Sequence, residues 1–220
     1  MTDPVLEKMD EFFARRLDGY DHQMLVNVEG CAEGYAAVAQ LLPQNAKTLL
    51  DLGCGTGLEL DEIFRRNPTV AVTGIDMTPA MLAVLRQKHP DKALTLIEGD
   101  YFAQDFGTER FDAAVSVESL HHFTHAAKLE LYRRLYAALR PGGVYIECDY
   151  MVETQAEEDF YFSELARLKA AQGLEENAFY HYDTPLTVQN QQALLAQAGF
   201  AVHFHSRVGG TTILTAEKKA

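Results

Sequence analysis

Cysteine is scarce in this chain of 220 residues: Cys31, Cys54 and Cys148 are the whole set. Three is too few, and odd, for a disulfide framework, and no two are spaced as a CxxC metal pair. Positive charge is also short, with 19 Lys and Arg against 32 Asp and Glu and a formal net charge of −13. The basic clusters (Arg15-Arg16, Arg65-Arg66, Arg133-Arg134, Lys218-Lys219) are isolated pairs, not a stripe. A phosphate backbone or an anionic lipid surface would be repelled, so neither nucleic acid nor membrane is expected as a partner. No apolar run approaches the roughly 18 residues that span a bilayer. The opening segment is acidic and mixed instead of basic and then apolar, so no signal peptide is expected. A reduced, cytoplasmic protein is the expectation.

Hydrophobic residues make up 47% and charged residues 23%, which suits one soluble globular domain. Leu6, Met9, Phe13 and Leu17 recur at helical spacing, with Pro4 after Asp3 as a start signal, and predict a helix over 4–18. Met24, Val28, Cys31, Tyr35, Val38 and Leu42 predict a second helix over 22–42, stopped by Pro43. Strands are then predicted at 48–52, 70–76, 94–98, 111–117 and 144–149, with helices at 57–67, 79–89 and 124–139 between them. Such alternation implies a parallel sheet with right-handed crossovers. Residues 151–185 read as a mostly helical, acidic insertion: Glu153, Glu157, Glu158, Asp159, Glu164, Glu175, Glu176 and Asp183 oppose only Arg167 and Lys169. A helix over 187–198 and a hairpin of strands 200–206 and 211–216 close the chain. Four parts of one domain follow: an N-terminal helical segment (1–43), a core (44–150), an insertion (151–186) and a C-terminal helix and hairpin (187–220).

Residues 49–57 read Leu-Leu-Asp-Leu-Gly-Cys-Gly-Thr-Gly between a predicted strand and helix. Gly53, Gly55 and Gly57 allow a tight turn and close approach of a ligand to the backbone. Asp76 ends the next strand, where a carboxylate can accept both hydroxyls of a ribose. The dinucleotide fingerprint GxGxxG/A is not met, because Leu58 stands where a small residue belongs. Asp51, just before the loop, would repel a pyrophosphate and attract an amino group, so the loop suits a ligand with a cationic end.

This segment resembles motif I of class I S-adenosylmethionine-dependent methyltransferases, hhDhGCGTG. Ile75-Asp76-Met77-Thr78, Glu98-Gly99-Asp100-Tyr101, Phe111 to Ser116 and Leu139-Arg140-Pro141-Gly142-Gly143 resemble the family's later motifs in order, over residues 47–149. The resemblance implies a seven-stranded Rossmann-like α/β sheet of order 3-2-1-4-5-7-6 with strand 7 antiparallel. It implies S-adenosylmethionine as cofactor. Asp51 and the Gly53, Cys54, Gly55 and Gly57 backbone would face its methionine part, Asp76 its ribose, and Met77 and Met81 its adenine. Asp100 would accept from the adenine amino group beside Tyr101, and Val117 and Glu118 would close the other side. Each has a plainer rival: Asp51 as a helix cap, Met81 as core, Cys54 as a small residue fitting the turn.

Methyl transfer from a sulfonium needs a base only when the acceptor carries a proton. His122, within Glu118-Ser119-Leu120-His121-His122-Phe123 after the fourth strand, is the candidate base, against a helix-capping or packing role for these histidines. Tyr20 is the candidate for closing the pocket, against ordinary helix packing. The two histidines with Glu118 also offer metal donors, and His181 a distant ligand, but no metal is expected. The aromatic insertion is expected to cover a small, neutral or cationic acceptor. The reading is methyl transfer to a small molecule, on O, N, S or C. The alternatives are carboxymethyl transfer and a non-catalytic cofactor-binding protein. The N-terminal helices are expected to form either a lid or a homodimer interface.

Overall fold

The computed structural model describes residues 3–175 and 178–220. Glu176, counted above among the insertion's acids, lies outside them. Strands β1 (Thr48–Leu52), β2 (Ala71–Asp76), β3 (Leu94–Glu98), β4 (Phe111–Val117), β5 (Leu139–Tyr150), β6 (Ala201–Val208) and β7 (Thr211–Glu217) form one sheet. Its order is β3-β2-β1-β4-β5-β7-β6, as expected. The first five strands pair in parallel, and β7 runs antiparallel to both β5 and β6.

Helices cover both faces because alternate strand residues are apolar on both. Leu49, Ala113, Val115 and Ile146 face one core, with α3 (Cys31–Leu41) and α4 (Leu58–Arg66) packed against it. Leu50, Leu52, Ala114 and Tyr145 face the other, under α6 (His125–Ala138) and α8 (Val188–Gln197). The remaining crossover helix is α5 (Pro79–Lys88). Among the described residues, no helix is long and apolar enough to cross a membrane.

The structure corrects four local expectations. The helix over 4–18 shrinks to α1 (Met9–Arg15). Backbone groups before it are taken by the insertion: Gln172 bonds the Leu6 N–H and the Pro4 carbonyl, and the His181 N–H donates to the Glu7 carbonyl at 2.9 Å. Tertiary partners here outcompete helical periodicity. The helix over 22–42 is three pieces: α2 (Tyr20–His22), a π-helical turn (Gln23–Asn27), and α3. The break is at Gly30, φ +85°, where a Cβ would lie 2.6 Å from the Val208 carbonyl oxygen of the terminal hairpin. The fifth strand begins at Leu139, before the Pro-Gly-Gly turn, because Leu139 pairs with Phe111 across a register shift. The insertion is helical only in α7 (Gln155–Gln172), which opens on a Thr154–Glu157 capping box. Residues 178–187 run as an irregular strap, with Tyr180 bridged to Lys8.

Candidate functional site

The parallel strands end together at the carboxyl edge of the sheet, where the loops after β1, β2, β3 and β4 converge. In the loop after β1, Gly53 has φ +73°, and a Cβ on it would lie 2.1 Å from Ser119 Oγ. Only glycine lets this loop approach the end of β4 so closely. Gly57 (φ +76°) is needed for packing: its Cβ would meet Leu85 at 2.4 Å. The Asp76 carboxylate ties the loop down. It accepts from the Gly55 N–H at 2.9 Å and the Thr78 N–H at 2.8 Å. Burial nevertheless raises its pKa, against those two bonds.

A narrow, partly enclosed cavity lies over these loops. Of the residues singled out in the sequence, Gly53, Gly55, Asp76, Met77, Met81, Asp100, Tyr101, Val117, Glu118, Tyr20 and His122 all line it. Cys54, Gly57 and Asp51 do not. The Cys54 sulfur is buried against Gly74, where a Cβ would lie 2.8 Å away. Asp51 shares the Leu49 face of β1 and is buried beside Glu59 of α4. It caps no helix, since α4 has no side-chain cap. Both Asp51 oxygens and Glu59 Oε1 are buried without a hydrogen-bond partner. Burial, with Glu59 and Asp76 adding, raises Asp51 well above the ordinary carboxylate range, and burial pushes Glu59 up to about 7.

Sequence reasoning missed Met9 and Phe13 of α1, which close over the cavity. Their helical spacing marked them as apolar, but nothing in it showed what they would cover. Phe13, Tyr20, Glu118 and His122 also line a second, open groove of about 820 Å³. The groove adds Phe12, His121, Tyr150, His181 and Asp183 to its walls. The two spaces therefore meet at Tyr20, Glu118 and His122.

That junction is electrostatically dense. Glu118 holds a left-handed backbone, φ +47°, uncommon for a residue with a side chain. Its Oε1 accepts from Thr211 Oγ1 at 3.0 Å. Burial and the nearby Asp149 push it up to about 7. Burial alone would lower the His121 imidazole, but Asp149, Asp183 and Glu118 outweigh it and raise it to about 9. His122 goes the other way: burial and the positive charge of His121 and His181 hold it well below its ordinary value. It is neutral, with Nδ1 3.2 Å from the Tyr182 carbonyl oxygen. Neither histidine caps α6, whose cap is Thr124. Burial and the carboxylates Glu59, Asp76 and Glu118 raise the Tyr20 phenol, so its hydroxyl stays protonated.

The donor set fits a nucleoside carrying an amino-acid arm better than a dinucleotide. A carboxylate stands at the end of β2, where a diol could be accepted, and Met77, Met81 and Tyr101 offer the cavity apolar and aromatic surface suited to a flat ring. An acidic wall disfavours pyrophosphate. Asp51 is not part of that fit, because it faces Glu59 and not the cavity.

Residues 49–143 match a family model described as a methyltransferase domain. A demethylmenaquinone methyltransferase of Roseiflexus castenholzii is 29% identical over 143 residues, 64% of this chain and 59% of that protein. A carboxy-S-adenosyl-L-methionine synthase of Campylobacter lari is 28% identical over 148 residues, 64% of this chain and 62% of that one. The chain thus spans about six tenths of the length of these two relatives. Human N-acetylserotonin methyltransferase, solved in complex with SAM, superposes with a TM-score of 0.63 at 19% identity, over 87% of this chain and 53% of that one. Residues 49–143 thus resemble a methyltransferase domain, and the sheet has the strand order that the resemblance to class I S-adenosylmethionine-dependent methyltransferases implied.

Proposed function

We propose that this protein binds S-adenosylmethionine in the narrow cavity and directs its methyl group to a small molecule held in the adjoining groove. The observation that carries this is the junction of the two spaces at Tyr20, Glu118 and His122. An in-line displacement needs donor and acceptor on opposite sides of such a gap.

Bound S-adenosylmethionine supplies a methyl already activated on a sulfonium. The protein's tasks are alignment and exclusion of water. Asp76 holds the ribose hydroxyls, and the Gly53–Gly55 backbone lies along the methionine arm. Asp100, Tyr101 and Met77 would hold the adenine, with Met81 lining the same cavity. His122, kept neutral by burial, has its Nε2 lone pair free to take the proton that an acceptor hydroxyl or amine gives up as its bond to the methyl forms. Tyr20, with its hydroxyl protonated, closes the gap between the two spaces. Residues 3–43 act as a lid through Met9 and Phe13, and His181 and Asp183 of the insertion wall the acceptor groove. Asp18, Glu29, Glu118 and Asp183 in that groove offset Arg15, Arg16 and the charged His121, so no excess of positive charge awaits a phosphate. This balance favours a neutral acceptor over a phosphorylated one.

The test is calorimetric titration with S-adenosylmethionine, S-adenosylhomocysteine and NAD, using the wild type and Asp76→Ala. Micromolar binding of the two sulfur ligands alone, weakened at least tenfold by the substitution, supports the reading. Binding of NAD, or of none of the three, overturns it.

A further inference from the structure

We propose that His121, His122 and Asp183 together form a binding site for one divalent transition-metal ion at the junction of the cavity and the groove. The sequence reading set metal aside because adjacent histidines lack a distant ligand. The distant ligand it considered, His181, stacks its ring on Phe12 with centroids 3.4 Å apart and stands 5.0 Å from the His122 ring, but its nitrogens are not among the converging donor atoms. The residue that does arrive is Asp183, two positions later. Its Oδ1 lies 3.6 Å from His121 Nε2 and 3.4 Å from His122 Nδ1. One donor atom from each of the three falls within 4.8 Å of the others. Donors bound at about 2.1 Å to one ion stand roughly 3–3.5 Å apart, so only small adjustments separate this arrangement from a coordination shell.

Three features prepare it. His121 directs its other nitrogen, Nδ1, to Asp149 Oδ1 at 2.5 Å, which leaves Nε2 aimed at Asp183. A ligating histidine is ordinarily oriented by such a carboxylate behind it. Asp149 is itself held by the N–H groups of Leu120 at 2.7 Å and Tyr150 at 2.8 Å. The strap carrying Asp183 is pinned beside the histidines by the Thr184 N–H, which donates to the His121 carbonyl at 2.6 Å.

Glu118, His121 and Asp149 form a second donor cluster. It shares His121, but Asp149 is buried and spent on backbone N–H groups, whereas Asp183 is half-exposed toward the groove. Two imidazoles and a carboxylate suit zinc, cobalt, nickel or iron better than magnesium or calcium, which take oxygen ligands. Three protein ligands leave positions open, here toward the groove. An ion there would hold an oxygen or nitrogen of the acceptor; ligation by His122 Nδ1 would move that atom's proton, now directed at the Tyr182 carbonyl 3.2 Å away, to Nε2 and end that residue's service as proton acceptor. This use of the ion rests on the methyltransferase reading; the binding of the ion does not.

The experiment strips the full chain with chelator and titrates it with cobalt(II), followed by visible absorption and elemental analysis. One equivalent per chain is expected, with the absorption bands of nitrogen and oxygen ligation. Asp183→Asn, a change on a half-exposed side chain, should weaken binding at least tenfold, and His121→Gln should abolish it. Asp76→Ala should leave it intact. Absence of stoichiometric binding in the wild type, or binding indifferent to Asp183→Asn, overturns the proposal. S-adenosylmethionine titration of the same samples reports separately on the cofactor reading.

Discussion

His121 Nδ1 and Asp149 Oδ1 lie 2.5 Å apart, both buried, and join the loop after β4 to the end of β5. The pair fixes the wall on which the histidines stand. It also makes this wall sensitive to pH.

His121 is held at about 9 against an ordinary 6.5. A base with a raised folded pKa stabilises the fold fully below its unfolded value and loses that stabilisation as pH rises. Stability should therefore fall between about pH 6.5 and 9, by an amount on the order of 3 kcal/mol as an upper bound. Asp149→Asn should remove this dependence and bring the imidazole down. Urea denaturation across pH and NMR titration of the histidine ring check both.

Glu59 is a carboxyl raised from 4.5 to about 7 by burial. Here the folded state binds the extra proton, so stability should decline as pH rises from about 4.5 to 7. Glu59→Gln should reduce the decline, leaving the part that buried Asp51 contributes, and stabilise the protein by about 2 kcal/mol at pH 8. Denaturant midpoints of the two proteins at pH 5 and pH 8 decide it; an equal midpoint at pH 8 contradicts it.

Gly53→Ala should be costly twice over. Its φ of +73° is unfavourable for alanine, and the new methyl carbon would lie 2.1 Å from Ser119 Oγ. A stability loss of about 2 kcal/mol is expected. Cofactor affinity should fall at least tenfold, because the loop must lift off β4. Thermal melting and calorimetry measure the two effects.

Phe13→Ala should open the cavity that α1 covers. Cofactor association should become faster, with little change in the contacts beneath. Stopped-flow fluorescence of ligand binding tests this, and an unchanged association rate would show that α1 does not gate the cavity.

The sheet was legible because its signals are local. Short apolar runs, the glycines after β1 and the terminal hairpin turn each speak through neighbours in the chain. Asp76, Met77, Asp100 and Tyr101 were legible for the same reason: each sits just past a strand, and parallel strands end on one edge. Asp51 does not line the cavity: a strand places successive side chains on opposite faces, and its carboxyl lies buried beside Glu59.

The amino-acid sequence by itself determined the alternation of strands and helices, the glycine loop and the carboxylate at the end of β2. These depend on periodicity and turn chemistry within a few residues, whereas the strand order was implied only by the family resemblance. Only the tertiary structure decided that residues 3–8 would bond to the insertion instead of coiling into helix. It alone brought Phe13 over the cavity and Asp183 to His121. Those contacts join residues far apart in the chain, and no local propensity encodes which distant backbone groups or side chains will be free to meet.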